Sequence, residues 1–173
     1  MQKFVTITRA RELLAAHTRV LETELVSLDD SLGRITAKGI SAALDMPNFR
    51  KSPFDGYCLQ SSMSKGATAE NPVILEVGGV LAAGSPPSGE VRNLPYKIMT
   101  GAEVPAGFDA VIKKEDTDCG DARVALYKEA APGENIIRIG EDVKRGEIVL
   151  DPHFRITPGS IAMLSALGVD RVE

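Results

Sequence analysis

Apolar side chains recur at helical spacing in the first part of the chain. Ala10, Leu13 and Leu14 share one face of a helix that we predict to begin after Thr8 and to end at about His17. A histidine at the end of such a helix is typical of a surface position, so we assign His17 no catalytic role.

The second predicted helix, near the other end of the chain, has clearer start and stop signals. Thr157 is its N-cap, Pro158 occupies the first helical position, and Gly168 ends it. Its apolar residues are Ile161, Met163, Leu164 and Leu167. Residues 169–173 then predict a strand with no partner after it, from which we expect the polypeptide to continue beyond the sequence given; the alternative is that this strand pairs with an earlier one.

Between the two helices, the pattern is that of short strands separated by turns. The predicted extended segments are residues 20–28, 35–40, 73–77, 110–114 and 124–127. The predicted turns are residues 29–33, 78–79, 84–89 and 131–134, with a hairpin loop at residues 116–121. The β-rich middle of the chain has the spacing of a barrel or a sandwich.

Two changes in composition divide the chain. Proline, asparagine and basic residues replace the apolar pattern at residues 45–52, and a glycine-containing turn lies near Gly140. We therefore predict an α+β, strand-rich fold with two subdomains. Residues 1–44 together with residues 143–173 form a helix-plus-strand subdomain, and residues 45–142 form an inserted β-rich subdomain.

Composition limits the function classes that need to be considered. The chain is 43% hydrophobic and 25% charged, as expected of a globular protein. Its net charge of −4 argues against nucleic acids and anionic membranes as partners. The sequence shows no signal-peptide pattern and no apolar run of transmembrane length, so we predict a cytoplasmic protein.

Cys58 and Cys119 lack the spacing of a metal site. They lie far apart in the sequence, without a Cys-x-x-Cys pair or a histidine cluster, which disfavours structural zinc. The two could form one disulfide, but free thiols in a reducing cytoplasm fit the sequence better.

Three short clusters place an acid or a hydroxyl beside a glycine, at residues 52–57, 98–101 and 140–142. In the first cluster, Asp55 could bind a metal ion or orient a water molecule or an oxyanion. An Asp-Gly pair is more often an ordinary turn, and the residues alone favour that alternative.

The other clusters leave similar alternatives open. Thr100 could present its hydroxyl and neighbouring N–H groups to an anion, or simply belong to a turn that ends a strand. Glu141 and Asp142 could hold Mg²⁺, or form an exposed, salt-bridged hairpin. Arg50 and Lys51 could contact a phosphate, although such a pair is more often solvated.

Common catalytic motifs are absent from the sequence. It contains no Walker-type phosphate loop, no nucleophile elbow and no dinucleotide fingerprint. A nucleophile activated by histidine would depend on His17 or His153, and neither has an evident acidic partner.

Taken in order, the clusters resemble the N-terminal half of the molybdopterin molybdenumtransferase family, which includes bacterial MoeA and the gephyrin E domain. The matching segments are residues 32–35 (LGRI), 45–47 (DMP), 52–57 (SPFDGY), 96–105 (YKIMTGAEVP), 109–112 (DAVI), 135–142 (NIIRIGED) and 164–169 (LSALGV). They span nearly the whole sequence.

The resemblance implies an enzyme of molybdenum cofactor synthesis. Members of the family insert molybdenum from molybdate into adenylylated molybdopterin and release AMP, assisted by Mg²⁺ or a similar divalent cation. They are elongated homodimers, and the helix-plus-strand subdomain would form the dimer. Their active-site cleft lies between the pterin-binding domain of one subunit and the N-terminal region of the other.

The resemblance also assigns roles to residues of this sequence. Asp55, Thr100 and Asp142 match the residues that the N-terminal region contributes to the cleft. In that cleft, Asp55 and Asp142 would hold a divalent metal ion or orient the attacking oxygen, and Thr100 would hydrogen-bond an oxyanion. Supporting, substrate-binding positions are Ser52, Gly56, Gly101 and Glu141.

Two features depart from the family. Pro53 and Phe54 stand where relatives often carry Ala-Met, which could alter the rigidity of the loop. The pterin-binding domain and the small C-terminal β domain would lie beyond Glu173, so we expect this chain alone to show no turnover. The alternative is a non-catalytic dimerisation or scaffolding module with the same fold.

Overall fold

The computed structural model describes residues 4–85 and 93–173. Within these ranges the fold is α+β and rich in strands, with two α-helices and ten short strands, which confirms the predicted class. The predicted turn at residues 84–89 lies largely outside the described residues. No helix in the described ranges is long and apolar enough to cross a bilayer.

Helix α1 is Ile7–His17 and helix α2 is Pro158–Ala166. The strands in chain order are β1 Val26–Ser27, β2 Ile40–Ser41, β3 Gly56–Leu59, β4 Val73–Glu76, β5 Val80–Leu81, β6 Tyr96–Ile98, β7 Ala110–Lys113, β8 Arg123–Leu126, β9 Ile148–Leu150 and β10 Arg171–Val172. Single 3₁₀ turns lie at Asp29–Ser31, Ser61–Ser64 and Lys114–Asp116.

Strand β3 is the centre of a four-stranded sheet with the order β5-β6-β3-β7. It runs antiparallel to both neighbours, so that Gly56 lies opposite Ile98 of β6 and opposite Lys113 of β7. All four residues of β3 are buried, as expected for a strand that is covered on both faces.

The alternation of side chains along β3 divides the core of the middle region into two clusters. Tyr57 and Leu59 point into the first cluster, which also receives Leu126 of the separate β4–β8 pair. Cys58 points to the opposite face and packs with Ile98 in the second cluster. One strand thus connects two apolar layers.

The two ends of the chain fold against each other. Strand β1 pairs with β10 and β2 pairs with β9, both antiparallel. A third apolar cluster lies beneath them, formed by Leu28, Leu150, Ile156, Leu164 and Val172. The subdomain boundaries at 44/45 and 142/143 stay a prediction.

Helix α2 matches its predicted signals. The Thr157 hydroxyl accepts a hydrogen bond from the Ser160 N–H at 3.2 Å, and the Ser160 hydroxyl oxygen accepts one from the Thr157 N–H at 2.8 Å, which completes a capping box. Gly168 follows the helix with φ +75°, the left-handed conformation that favours glycine.

Helix α1 begins earlier than predicted. Its N-cap is Thr6 rather than Thr8, because the Thr6 hydroxyl accepts a hydrogen bond from the Arg9 N–H at 3.2 Å. Ala10 and Leu13 are only half-buried and Leu14 is exposed, so no residue of α1 reaches the core.

Three predicted β-segments differ from the structure. Of residues 20–28 only Val26–Ser27 forms a strand, because the apolar residues before it have no strand beside them in the described structure. Of residues 35–40, Ile35 makes a single bridge and Ile40 begins β2. The strand at the end of the chain has a partner that comes earlier in the sequence, because β10 pairs with β1.

The predicted hairpin at residues 116–121 is only partly correct. Its flanking strands lie in different sheets, since β7 pairs with β3 and β8 pairs with β4. The chain turns back through a bridge between Thr117 and Leu126 instead. The connection therefore crosses from one sheet to the other.

Candidate functional site

The sheet topology brings Asp55 and Thr100 to one edge. Asp55 immediately precedes β3, and Thr100 lies two residues beyond the end of the antiparallel neighbour β6. Lys114 follows the end of β7, which is antiparallel to β3 on its other side. In an antiparallel pair, the start of one strand lies beside the end of its neighbour. Residues that are distant in the sequence therefore meet at this end of the sheet.

Thr100 binds one oxygen of the Asp55 carboxylate twice. Asp55 Oδ1 accepts hydrogen bonds from the Thr100 N–H at 2.9 Å and from the Thr100 hydroxyl at 2.8 Å. Lys114 Nζ lies 3.6 Å from the other oxygen, Oδ2. The Asp55 carbonyl oxygen also accepts the Lys114 N–H at 3.0 Å, which ties the lysine backbone to the same residue.

These contacts favour the ionised form of Asp55. The pKa of Asp55 is lowered first by the hydrogen bond from the Thr100 N–H, then by that from the Thr100 hydroxyl, with a smaller contribution from the charge of Lys114. Partial desolvation opposes the shift. The result is a carboxylate, with its side chain 41% exposed, that can accept further hydrogen bonds from a ligand.

Glycine is required at position 56 by the spacing of the strands. A Cβ at Gly56 would meet the carbonyl oxygen of Ile112 at 2.0 Å, well inside any permitted contact. The absence of a side chain therefore allows β3 to approach β7 closely, which places Asp55 beside Lys114.

Ser52 and Gly101 hold the two loops of the site together. The buried Ser52 hydroxyl donates to the Phe54 carbonyl at 2.6 Å and accepts the Phe54 N–H at 3.2 Å. The Ser52 carbonyl accepts the Gly101 N–H at 2.8 Å, and Gly101 has φ +81°. These contacts position Asp55 and Thr100, whereas the substrate contacts expected of Ser52, Gly56 and Gly101 stay a prediction.

Asp142 lies in a different loop. Its N–H donates to the Met46 carbonyl at 2.9 Å, and the Glu141 carboxylate closes the same turn by accepting the Arg138 N–H at 2.9 Å. Across the described part of the chain, no hydrogen bond or ion pair joins Asp142 to Asp55 or Thr100. The structure thus unites two of the three predicted catalytic residues, and the roles of all three stay predictions.

One segment of backbone links the two loops. Lys51 exchanges two hydrogen bonds with Ile137, at 3.1 and 3.0 Å, and Ser52 donates its N–H to the Ala102 carbonyl at 3.0 Å. The Asp45 carboxylate accepts the Arg145 N–H at 2.9 Å, which fixes the far side of the Asp142 loop. Residues 45–52 therefore form a common frame for both loops.

Arg50 has a structural role rather than the phosphate contact considered from the sequence. Its guanidinium donates to the carbonyl oxygens of Pro105 at 2.7 Å, Phe108 at 3.0 Å and Val104 at 3.3 Å. A cation that satisfies three carbonyls holds the loop after Thr100 in place and has few donors left for a ligand.

Lys114 was not singled out in the sequence. It lies 59 positions from Asp55 and in a segment that reads as an ordinary strand end. The sequence shows only that Lys114 follows an apolar strand. The register of β7 against β3 is needed to show that Lys114 faces Asp55.

The described residues do not fit a divalent cation at Asp55. No group of three or more His, Cys, Asp or Glu side chains in residues 4–85 and 93–173 could hold a metal ion. Mg²⁺ prefers about six oxygen ligands, whereas Asp55 offers one carboxylate, whose Oδ1 is bound by Thr100 and whose Oδ2 lies beside the Lys114 ammonium.

A cavity of about 420 Å³ lies elsewhere, among the paired ends of the chain. Residues 20–24 form one wall, and the opposite wall includes Ile35, Ile156 and Val172. None of the predicted site residues lines it.

Comparison with known proteins places this arrangement in a family. The model of the MoeA N-terminal region (domain I and II) matches residues 5–168. The chain belongs to this family. The match covers both loops of the site, and it confirms the family resemblance identified in the sequence.

Named relatives and solved structures agree with this assignment. A molybdopterin molybdenumtransferase of Staphylococcus epidermidis is 38% identical over 164 residues, covering 94% of this chain and 39% of that protein. The molybdopterin molybdenumtransferase of Bacillus subtilis is 38% identical over 152 residues, covering 85% of this chain and 35% of that protein. The crystal structure of the molybdopterin biosynthesis protein MoeA from Pyrococcus horikoshii matches with a TM-score of 0.86 at 34% identity, covering 98% of this chain and 45% of that chain.

The chain spans about two fifths of the length of the curated relatives it matches. The match lies in the N-terminal region of the family. The activity, substrates and partners of the whole relatives are therefore not carried over to this chain by similarity alone.

Proposed function

We propose that this chain is the N-terminal part of a molybdopterin molybdenumtransferase and that it contributes Asp55 and Thr100 to a composite active site. The observation that carries the proposal is the Asp55 carboxylate beside β3, whose Oδ1 accepts two hydrogen bonds from Thr100 that lower its pKa. Family membership and the names of the relatives support the same reaction class.

In the proposed reaction, molybdenum from molybdate enters the dithiolene of adenylylated molybdopterin, and AMP is released. Asp55 accepts hydrogen bonds from the substrate or from the attacking water, because its charge and orientation are fixed before the substrate arrives. Thr100 acts mainly by holding that carboxylate. Asp142 and Glu141 belong to the same cleft in this proposal, and Ser52, Gly56 and Gly101 shape its wall.

The proposed partner is a second copy, whose pterin-binding domain completes the cleft. The surface that supports a homodimer is the N-terminal segment. Ile7 and Leu14 of α1 are 77% and 67% exposed, and Val20 and Leu21 are 95% and 77% exposed. When several apolar residues close together in the sequence are exposed, they often form part of an interface.

The same surface is the observation that favours the second candidate, a dimerisation or scaffolding module without a catalytic role. Replacing Leu14 and Leu21 together by glutamate should dissociate a homodimer, as measured by sedimentation equilibrium. Exchanging one exposed leucine and one exposed isoleucine elsewhere, Leu32 and Ile74, for glutamate provides the matched control. Dimerisation alone does not separate the candidates, since both require it.

A cytoplasmic location is also part of the proposal. It is supported by two free cysteines, Cys58 and Cys119, which is the state expected in a reducing compartment.

A chimera tests the transferase proposal directly. The 164 matching residues of the S. epidermidis relative are replaced by the corresponding part of this chain, and molybdenum insertion into adenylylated molybdopterin is assayed. We expect the chimera to insert molybdenum and the isolated chain to show no turnover. A well-folded chimera that dimerises without inserting molybdenum would instead favour the scaffolding module.

A further inference from the structure

Two consecutive lysines at the end of β7 face two consecutive residues of the loop before β3. Lys113 Nζ lies 4.0 Å from the centre of the Phe54 ring, a cation–π distance. Lys114 Nζ lies 3.6 Å from Asp55 Oδ2. The Lys114 N–H also donates to the Asp55 carbonyl at 3.0 Å, so the spacing is set by the backbone and not by the flexible side chain alone.

The two oxygens of Asp55 have different surroundings. Oδ1 accepts both hydrogen bonds from Thr100, at 2.9 and 2.8 Å. Oδ2 faces only the Lys114 ammonium among the described residues. Oδ2 is therefore the oxygen with room for a new ligand, and any ligand there lies beside the positive charge of Lys114.

A divalent cation and the Lys114 ammonium compete for the same place. A metal ion binds a carboxylate oxygen at about 2.0–2.6 Å, which would bring it close to Nζ. The repulsion between a double and a single positive charge a few ångströms apart opposes binding, even where water screens it. No second or third acid compensates, because the described residues contain no cluster of metal-binding side chains.

The acid Glu134, which interacts electrostatically with Lys113, does not relieve this competition. Its carboxylate is bound by Lys128 Nζ at 2.6 Å and by the Ala131 N–H at 2.9 Å. Because Lys128 already holds the Glu134 carboxylate, Glu134 is not available to offset the positive charge at Asp55.

We propose that the Lys114 ammonium is a built-in counter-ion of Asp55, which occupies the place that a divalent cation would take at this carboxylate. The inference rests on the proposed function and makes it more specific. A divalent cation that takes part in the reaction is bound away from Asp55, and the Asp55–Lys114 pair presents a hydrogen-bonding ammonium to the anionic substrate.

Mn²⁺ alone serves as the probe, because it broadens the NMR signals of nearby amides. The chain is labelled with ¹⁵N and titrated with Mn²⁺ while the Thr100 amide signal, whose N–H contacts Asp55, is followed. We expect weak, unspecific broadening in the unchanged chain. The Lys114→Met variant should gain a site at Asp55, with half-maximal broadening at an about tenfold lower Mn²⁺ concentration.

Two further variants separate the charge of Lys114 from its packing. Lys114→Arg keeps the charge and should behave like the unchanged chain. Adding Asp55→Asn to Lys114→Met should abolish the gained site. Dispersed amide signals confirm that each variant is folded, and Lys114→Gln replaces Lys114→Met if the latter is not.

The result that would overturn the proposal is equal Asp55-dependent Mn²⁺ affinity in the unchanged chain and in Lys114→Met. The measurement requires no turnover. The Mn²⁺ titration can therefore contradict the role of Lys114 while the chimera still inserts molybdenum, and it can support that role if the chimera is inactive. The counter-ion proposal and the transferase proposal are thus tested independently.

Discussion

Thr100 donates both its N–H and its hydroxyl to a single oxygen of Asp55, across 45 positions of sequence. The two donors differ in what a mutation can remove. A substitution of Thr100 eliminates the hydroxyl but leaves the N–H, so the carboxylate keeps one of its two anchors. A Thr100 substitution should therefore weaken the site only in part, whereas an Asp55 substitution removes the carboxylate altogether.

The first prediction concerns the ionisation of Asp55. Thr100→Val should raise the pKa of Asp55 towards its ordinary value, because the second-largest cause of the lowered pKa is lost while the largest, the backbone N–H, remains. Lys114→Met should raise it less. A ¹³C-detected titration of the Asp55 carboxyl group checks both, with Thr68→Val as a control that removes an exposed threonine hydroxyl which does not act on the pKa of Asp55.

The lowered pKa also fixes the direction of the pH dependence of stability. A carboxyl group with a lower pKa in the folded state stabilises the fold above its unfolded pKa, and this contribution is lost as pH falls through the folded value. The urea midpoint of the unchanged chain should therefore exceed that of Asp55→Asn at neutral pH. The difference should shrink under acid conditions, and a constant difference would contradict the assignment.

The second prediction concerns Gly56. Gly56→Ala should destabilise the fold by about 3 kcal/mol or more, because its Cβ would overlap the Ile112 carbonyl and force β3 away from β7. Gly159→Ala is the matched control, since a Cβ in α2 meets nothing closer than 3.9 Å and alanine favours a helix. Urea unfolding measures both variants, and similar midpoints would refute the packing argument.

The third prediction concerns Arg50. Arg50→Met should destabilise the fold by about 2–3 kcal/mol, since three carbonyl oxygens lose a charged donor. The exposed Arg123, whose ion pair with Glu76 is 3.4 Å long, provides the comparison, and Arg123→Met should cost less than about 1 kcal/mol. A loss of stability confined to Arg123→Met would be inconsistent with the structural role of Arg50.

The fourth prediction distinguishes the two cysteines. Burial raises the pKa of Cys58 to about 12, whereas Cys119 is exposed. A thiol reagent at neutral pH should modify one thiol per folded chain, and Cys119→Ser should abolish that reaction. Both thiols should react in urea. Rapid modification of Cys58 in the folded Cys119→Ser variant would show that β3 is not the buried centre of its sheet.

The local signals of α2 predict it correctly and the N-cap of α1 lies only two residues from its predicted place, whereas strand pairing does not follow from the sequence pattern. Thr157, Pro158 and Gly168 predicted α2 because caps act through neighbouring backbone groups. Residues 20–28 were predicted as a strand, although an apolar pattern does not reveal whether a partner strand lies beside it.

The candidate site shows the same division. Asp55 and Thr100 were selected through family resemblance, since an Asp-Gly or Thr-Gly pair alone indicates no more than a turn. Lys114 was missed because its relation to Asp55 depends on the register of β7 against β3. Asp142 was grouped with them by sequence, and its place in a separate loop depends on the pairing of residues 45–52.

The measurement that tests the central claim most directly is the rate of molybdenum insertion by the chimera with Asp55→Asn. Glu70→Gln, a change of one exposed loop carboxylate, is the control. We predict that Asp55→Asn lowers the rate by about a hundredfold or more, as expected for a group that acts on the reacting atoms, while Glu70→Gln changes it less than about twofold. A folded Asp55→Asn chimera with an unchanged rate would contradict the account.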